Sequence, residues 1–236
     1  MQLKKICEYR GKIILKSGLH IGSGNMEMHI GGTDSPVIVH PHSREPYIPG
    51  SSLKGKTRSL LELQSGFMGI TKGSPLSTKA LAQAFDKDMK SNGEAIIKFF
   101  GIGGSDQNDE SAYGPTRVSF SDCYLNEEWK QRAKDNRWQL TEVKSEVSID
   151  RVAGTASRGG PRFIERVPEG TVFDFTVTFK VLNEGEDKTF EELLFKGLKL
   201  LEMDALGGSG SRGYGRVSFE FTDEGVKERY RECKPF

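Results

Sequence analysis

Pro49-Gly50-Ser51-Ser52-Leu53-Lys54-Gly55-Lys56-Thr57-Arg58 supports two readings, and the fold follows from the choice between them. Taken literally, Gly50, Gly55, Lys56 and Thr57 complete G-x-x-x-x-G-K-[ST], the loop that cradles nucleotide phosphates at the end of a buried strand. Taken as a turn opening a basic helix, the same residues begin an element that follows a phosphate backbone. Context separates the two. The preceding Arg44-Glu45-Pro46-Tyr47-Ile48-Pro49 has two prolines and no apolar run, so no buried strand feeds the loop. No later aliphatic run ends in an aspartate that could hold magnesium. The helix reading is the one that stands.

On that helix Lys54 and Arg58 share a side, while Lys56 points away. Ser51 or Ser52 is the expected N-cap, the helix should run to about Gln64, and Gly66 is its stop. Ser51, Ser52, Lys54 and the free N–H groups of the first turn would then face an anion together. An ordinary capped surface helix with solvated lysines suits the residues as well.

Working outward, Gly11 to Leu19 reads as a strand with an Ile13-Ile14-Leu15 centre, followed by a turn at His20 to Gly24. Asn25 to Pro36 has no sustained period and reads as a loop, Val37 to Val39 as a short strand, and His40 to Pro49 as irregular. Leu76 to Met89 is expected to be a second helix and Gly93 to Gly114 a long loop. Arg117 to Leu125 and Gln139 to Asp150 alternate as strands do, and Thr171 to Leu182 is the clearest strand in the chain. Phe190 to Asp204 is the clearest amphipathic helix, and Arg216 to Phe221 closes with a strand. The order suits an α+β, ferredoxin-like (RNA-recognition-motif-like) β-α-β-β-α-β core with long insertions. A doubly wound parallel sheet would need more regular alternation.

Composition narrows the function. Among 236 residues there are 28 glycines, and they cluster, which implies several loops with special backbone geometry. A net charge of +1 means that any nucleic-acid surface must come from local clusters of Lys and Arg. Cys7, Cys123 and Cys233 are scattered and suggest neither a disulfide framework nor a cysteine-rich zinc site. No signal peptide and no membrane-length apolar run is visible, so a soluble, cytoplasmic protein is expected.

Three further stretches carry candidate chemistry. Gly207-Gly208-Ser209-Gly210-Ser211-Arg212-Gly213-Tyr214-Gly215 is too glycine-rich for a plain turn; glycine lets a backbone approach a ligand, and Ser209, Ser211 and Arg212 add phosphate donors. A flexible hairpin connection is the alternative. Arg151 to Arg166 holds Arg151, Arg158, Arg162 and Arg166 against Glu165, as an irregular phosphate-binding arm or a solvated loop would. Asp34, on a glycine-supported loop before a strand, could present a carboxylate to a backbone or a magnesium ion. The residues alone favour an Asx turn there.

The helix entry Tyr47 to Arg58 resembles the signature of the RAMP proteins of CRISPR systems, and Gly207 to Val217 resembles their glycine-rich loop. With Asp34 and a thumb-like stretch near Ser148 to Arg166, the chain is most similar to the backbone subunit of the type III-A (Csm) effector complex. The resemblance implies one RAMP domain over 1–236 with a ferredoxin-like palm, an insertion at 67–115 and a thumb hairpin at 140–170. It implies a subunit that stacks head to tail with its own copies along guide RNA, beside other subunits of the effector complex. It also implies metal-dependent cleavage of complementary target RNA, with magnesium as the ion. The ribonuclease acid falls on Asp34. Guide-backbone contacts fall on His20, Ser51, Ser52, Lys54, Arg58, Gly207, Gly208, Ser209, Ser211 and Arg212, and thumb contacts on Arg151 and Arg158. A non-catalytic RNA scaffold of a related type III-B complex is the alternative.

Overall fold

The central strand forms because its sequence alternates. In β1 (Lys5–Leu15), Cys7, Tyr9, Ile13 and Leu15 face the core, whereas Ile6, Glu8 and Arg10 face solvent. The computed structural model describes residues 2–23, 35–102 and 113–236, the side chains of Arg158 and Gly159 excepted. β1 pairs antiparallel with β5 (Val172–Val181) on one side and with β6 (Val217–Phe221) on the other, and β2 (Val118–Phe120) extends the sheet beyond β5. The sheet order is β2-β5-β1-β6.

α1 (Gly50–Gln64) and α4 (Lys87–Phe100) lie between β1 and β2 in the chain, and α6 (Glu186–Met203) lies between β5 and β6. That is the split β-α-β arrangement of a ferredoxin-like fold. The core is aromatic: Phe175 stands edge-on to Phe219 and Phe221 at 5.5 and 5.4 Å, and Phe179 does the same to Phe190 at 5.9 Å. The other face of the sheet carries Glu8, Arg10, Asp174, Thr178 and Lys180, with no aromatic ring among the outward residues of β1 and β5. Bases therefore have no stacking platform on those strands, unlike in an RNA-recognition motif.

The other elements are the short helices α2 (Met68–Thr71) and α3 (Thr78–Leu81), α5 (Glu127–Asp135), the paired strands β3 (Glu142–Asp150) and β4 (Thr155–Arg166), and α7 (Glu224–Glu232). Several expectations change. α1 starts at Gly50 with Pro49 at the N-cap position, so neither Ser51 nor Ser52 caps it. The expected helix over Leu76–Met89 is instead α3 followed by α4, because Asp86 accepts from the Met89 N–H at 2.7 Å and starts a new helix there. Gly93 to Phe100, expected as loop, is the buried half of α4. Val37 to Val39 makes isolated bridges only, and Arg117 to Leu125 is a strand only over β2. The basic stretch Arg151–Arg166 is not an irregular arm: all but its first four residues form β4.

β3 and β4 make a two-stranded ribbon outside the main sheet. Nine residues in β3, at about 3.4 Å each, give it a reach of about 30 Å. Its tip is ordered by Asp150, whose carboxylate accepts from the N–H groups of Val152 and Ala153 at 2.9 and 3.0 Å. Val143, Val147, Ile149 and Val152 are more than half exposed along it. A two-stranded ribbon with solvent on both faces has little core of its own.

Candidate nucleic-acid interface

The glycine-rich loop follows α6 and is held backbone to backbone against the chain leaving β1. The Gly208 N–H donates to the His20 carbonyl at 2.9 Å, and the Gly215 N–H donates to the Gly18 carbonyl at 2.9 Å. The Leu206 N–H closes the loop onto the Gly215 carbonyl at 2.8 Å. Only glycine allows this approach: a Cβ on Gly207 would lie 2.3 Å from the His20 oxygen, and one on Gly215 would lie 1.9 Å from the Leu206 oxygen. Both also have positive φ, at 75° and 73°. Between them Gly210–Arg212 makes a single 3-10 turn, with Ser211 and Arg212 exposed and Ser209 half-buried. The alternative of a flexible hairpin connection does not describe it: the loop is a cradle tied at both ends by backbone hydrogen bonds.

The loop is tied to the base of the β3–β4 ribbon by a group the sequence reading missed. Glu146 accepts from the Tyr214 hydroxyl at 2.7 Å and pairs with Arg212 at 3.3 Å and Lys144 at 3.6 Å. Tyr214 is fully buried, with Lys144 and Arg166 over its ring at 4.7 and 5.0 Å. The Tyr214 hydrogen bond, then Arg212 and Lys144, hold the Glu146 carboxyl below the usual glutamate range. A carboxyl depressed in the folded state contributes stability that is full above its unfolded value, about 4.3, and lost as pH falls through the folded value. Protection of the amides at Lys144 to Glu146 and at Tyr214 against exchange should therefore fall below about pH 4, before that of the sheet does. Ribbon-base exchange that stays level with the β1 and β5 amides through this range would remove Glu146 from that part.

His20 lies beside the cradle. Its Nδ1 is 2.7 Å from the Glu165 carbonyl oxygen, which can only accept, so Nδ1 carries the proton and Nε2 is left for another partner. Glu165, read from sequence only as the one acid among arginines, is a hub. Its carboxylate accepts from the Val37 N–H and the Thr141 hydroxyl, each at 2.8 Å, and its own N–H donates to the Ser35 carbonyl at 3.1 Å. Ser35 is thus fixed on the same residue that fixes His20. Asp34, the residue before it, lies outside the described residues, as do Asp106 and Asp109, two further acids of the Gly93 to Gly114 stretch that could assist it.

α1 brings its first turns along the end of α6, from which the cradle emerges. Lys56 reaches Asp204 at 2.6 Å, and Thr57 is fully buried where α1 meets Gly197 of α6. A nucleotide loop needs the lysine on the phosphates and the threonine hydroxyl on the magnesium ion. Here neither is free, so the nucleotide reading fails in the structure too. The N-terminal anion site is also altered from expectation: Asp122 accepts from the Gly50 N–H at 2.8 Å, so a carboxylate already occupies part of the helix end.

Lys54 and Arg58 differ more than their spacing suggests. The Arg58 guanidinium bonds Glu62 at 2.6 Å and the Leu76 carbonyl at 3.1 Å, in a pair whose side chains are 14% and 4% exposed. Glu62 in turn accepts from the Leu76 N–H at 2.9 Å. Arg58 chiefly fastens the segment after α1 to that helix. Lys54 is half-buried, has no carboxylate partner among the described residues, and is held below the usual lysine range by burial and then by the like charge of Arg58. An unpaired, partly desolvated ammonium is poised to take an anion. Arg151 sits exposed at the ribbon tip, and Arg158 lies in β4 with its side chain outside the described residues.

No group of three or more His, Cys, Asp or Glu side chains that could hold a metal ion occurs among the described residues. No described helix is long and apolar enough to cross a membrane.

Comparison with known proteins gives consistent matches over most of the chain. A family model for the RAMP superfamily matches residues 12–218. The protein named CRISPR system Cms endoribonuclease Csm3 of Methanocaldococcus jannaschii is 41% identical over 216 residues, covering 89% of this chain and 76% of that protein. The protein of the same name from Streptococcus thermophilus is 35% identical, covering 90% and 86%. Among solved structures, the Csm3–Csm4 subcomplex of the type III-A CRISPR-Cas interference complex matches with a TM-score of 0.55 at 29% identity, over 93% of this chain and 78% of that one. A type III-B Cmr-beta chain matches with a TM-score of 0.61 at 15% identity, over 92% and 98% of the two chains, a likeness of fold.

Proposed function

The chain belongs to the RAMP superfamily, and from that premise we propose that it is the repeating backbone subunit of a type III-A CRISPR ribonucleoprotein, which binds guide RNA and cleaves complementary target RNA. The relatives that carry an endoribonuclease name, at 35–41% identity over most of their length, support the activity. The observation that carries the RNA reading is the cradle. Its backbone is fixed by the His20 and Gly18 carbonyls, while the Ser211 and Arg212 side chains remain exposed. A protein that must accept any guide has to hold phosphates and riboses rather than base edges, and a glycine cradle with hydroxyl and guanidinium donors does that.

The rest of the surface follows the same logic. Lys54, on the α1 turns beside α6, supplies an unpaired cation, and His20 supplies Nε2. The β3–β4 ribbon, with Arg151 and Val152 at its exposed tip, is read as the thumb that enters the guide–target duplex. Its open apolar faces fit a segment completed by RNA or by a neighbouring copy. The other subunits of the effector complex are the remaining partners, and the cytoplasm is the expected location.

Asp34 is the proposed catalytic acid, aiding in-line attack at the scissile phosphate either through a metal ion or by orienting the nucleophile. The requirement for a divalent ion, magnesium, rests on the family resemblance. The described side chains alone do not fit such an ion.

Lys54 and Lys56 test the RNA surface. Lys54→Ala should weaken guide binding on the order of tenfold and lower the salt slope by about one, whatever the guide sequence. Lys56→Ala, which loses only a partly exposed pair with Asp204, should be mild. Filter binding across a salt series measures both, and a larger loss from Lys56→Ala would refute the assignment.

A further inference from the structure

A cleft that the RNA cradle does not use lies beside the root of the ribbon, where Gln139 precedes β3 and Glu169 follows β4. It holds about 290 Å³ between the end of α5 and the turn that follows β4, and Trp129, Arg132, Trp138, Gln139 and Glu169 line it. We infer that this cleft binds one unpaired nucleobase of RNA, stacked on Trp138. The inference rests on the reading of the chain as an RNA-binding subunit and adds a base-binding site to it.

The walls are rigid and preformed. α5 ends in a Schellman motif: the Trp138 N–H donates to the Ala133 carbonyl at 2.8 Å and the Arg137 N–H to the Lys134 carbonyl at 3.1 Å. Arg137 takes the left-handed position with φ of 55°, where glycine is usual. That backbone fixes Trp138 with its ring 6.4 Å from that of Trp129 and leaves the residue 53% exposed, while Trp129 is buried beneath. The opposite wall is a tight turn in which the Thr171 N–H donates to the Pro168 carbonyl and Gly170 has φ of 80°, as a type II turn requires. An indole already seated against Trp129 on one side loses little freedom when a flat ring stacks on its open side.

The chemistry of the lining favours a base over a protein side chain. No Leu, Ile, Val or Met lines the cleft; the polar groups are a guanidinium, an amide and a carboxylate. The Arg132 guanidinium has no carboxylate partner among the described residues and suits the phosphate of the nucleotide whose base is stacked. Glu169 can accept only, so it favours the exocyclic amines of adenine, cytosine and guanine over uracil, whose single base donor is the N3–H between two carbonyl oxygens that a carboxylate repels. Gln139 both donates and accepts. The cleft lies at the small end of ligand cavities, the size for one ring system. Gln139 is also three residues from the start of β3, so a base in the cleft would sit at the root of the thumb.

The test uses a convenience of the sequence. Trp129 and Trp138 are the chain's two tryptophans, so tryptophan emission reports on this cleft alone. The full chain, stripped of RNA, is titrated with end-labelled hexanucleotides of adenylate and of uridylate, reading tryptophan emission and label anisotropy together. Adenylate should quench emission as anisotropy rises, and uridylate should bind several-fold more weakly. Trp138→Ala should weaken adenylate binding roughly 5- to 150-fold, the range for one stacked base, while Trp138→Phe retains most of it. Arg132→Ala, at an exposed site, gives a second variant should Trp138→Ala fold poorly, and it should weaken both oligonucleotides. Binding by anisotropy with unchanged emission would overturn the cleft assignment and leave the RNA reading intact. Emission that changes with protein concentration and not with RNA would assign the cleft to a second copy. No anisotropy change with any RNA would overturn both readings.

Discussion

Asp34→Ala is expected to leave guide and target RNA bound as in the natural protein and to slow target cleavage on the order of 10²–10⁴-fold, the range for losing one positioned acid or base. The expectation has a structural side. The chain leaves Asp34 through Ser35, whose carbonyl is fixed by the Glu165 N–H. Glu165 also receives the Val37 N–H, so the chain just after Asp34 is anchored at two points on a single residue, which holds the His20 ring as well. Truncating Asp34 should leave those anchors alone, which is why binding and cleavage are expected to separate. Asp34→Asn distinguishes charge from shape, since it keeps the volume and removes the carboxylate. Single-turnover cleavage with end-labelled target measures both variants. Undiminished cleavage by Asp34→Ala would move the acid elsewhere, with Asp106 and Asp109 the next residues to replace.

Gly215→Ala should produce the largest structural effect of any single methyl group in the cradle. The new Cβ would lie 1.9 Å from the Leu206 oxygen, a backbone atom in the same closed loop, at a position with φ of 73°. Steric overpacking of about 1–3 kcal/mol and a left-handed cost of about 1–2 kcal/mol give a loss of roughly 2–5 kcal/mol. At about 2–4 °C per kcal/mol for a chain of this size, the melting temperature should fall by roughly 5–20 °C. Tyr214 precedes this residue, so its bond to Glu146 should loosen as well, and with it the ribbon base. Gly213→Ala is the control: φ is 85° there but a Cβ would meet nothing within 4 Å, so only the left-handed cost applies. Thermal melts of the two variants decide the point, and equal shifts would show that backbone conformation, not close approach, is what Gly215 provides.

Sequence made the layered part of the fold legible. β5 alternates cleanly, α6 repeats its apolar positions at three and four, and β6 follows a loop whose glycines announce it. It hid elements whose reason lies elsewhere in space. Gly93 reads as a helix breaker, yet α4 runs through it because a side chain there would lie 2.7 Å from the Phe67 ring. The α1 cap comes from Asp122, 72 residues away, so the two serines at the helix start looked like caps. The ribbon strand β4 lacks the one-sided burial that marks a strand, since both its faces meet solvent over much of its length.

The candidate site divides in the same way. The glycine-rich loop and α1 were legible from residue type and His20 only through the family resemblance, and the structure places all three around the end of α6 and the exit of β1. Arg58 was misread, because spacing puts it beside Lys54 but does not reveal that Glu62, one further turn along, claims its guanidinium. Glu146 and Glu165 escaped notice as acids in basic surroundings. Each is a carboxylate that organises the donors around it, and only contact across the chain shows that.

The most direct measurement of the central claim is cleavage by a reconstituted complex of the natural chain, its guide RNA and its partner subunits. A guide-complementary target with magnesium should be cut at regularly repeated positions, an unmatched RNA should not be cut, and a chelator should stop the reaction. A complementary target that stays bound and uncut with magnesium present would contradict the account and make the chain an RNA scaffold.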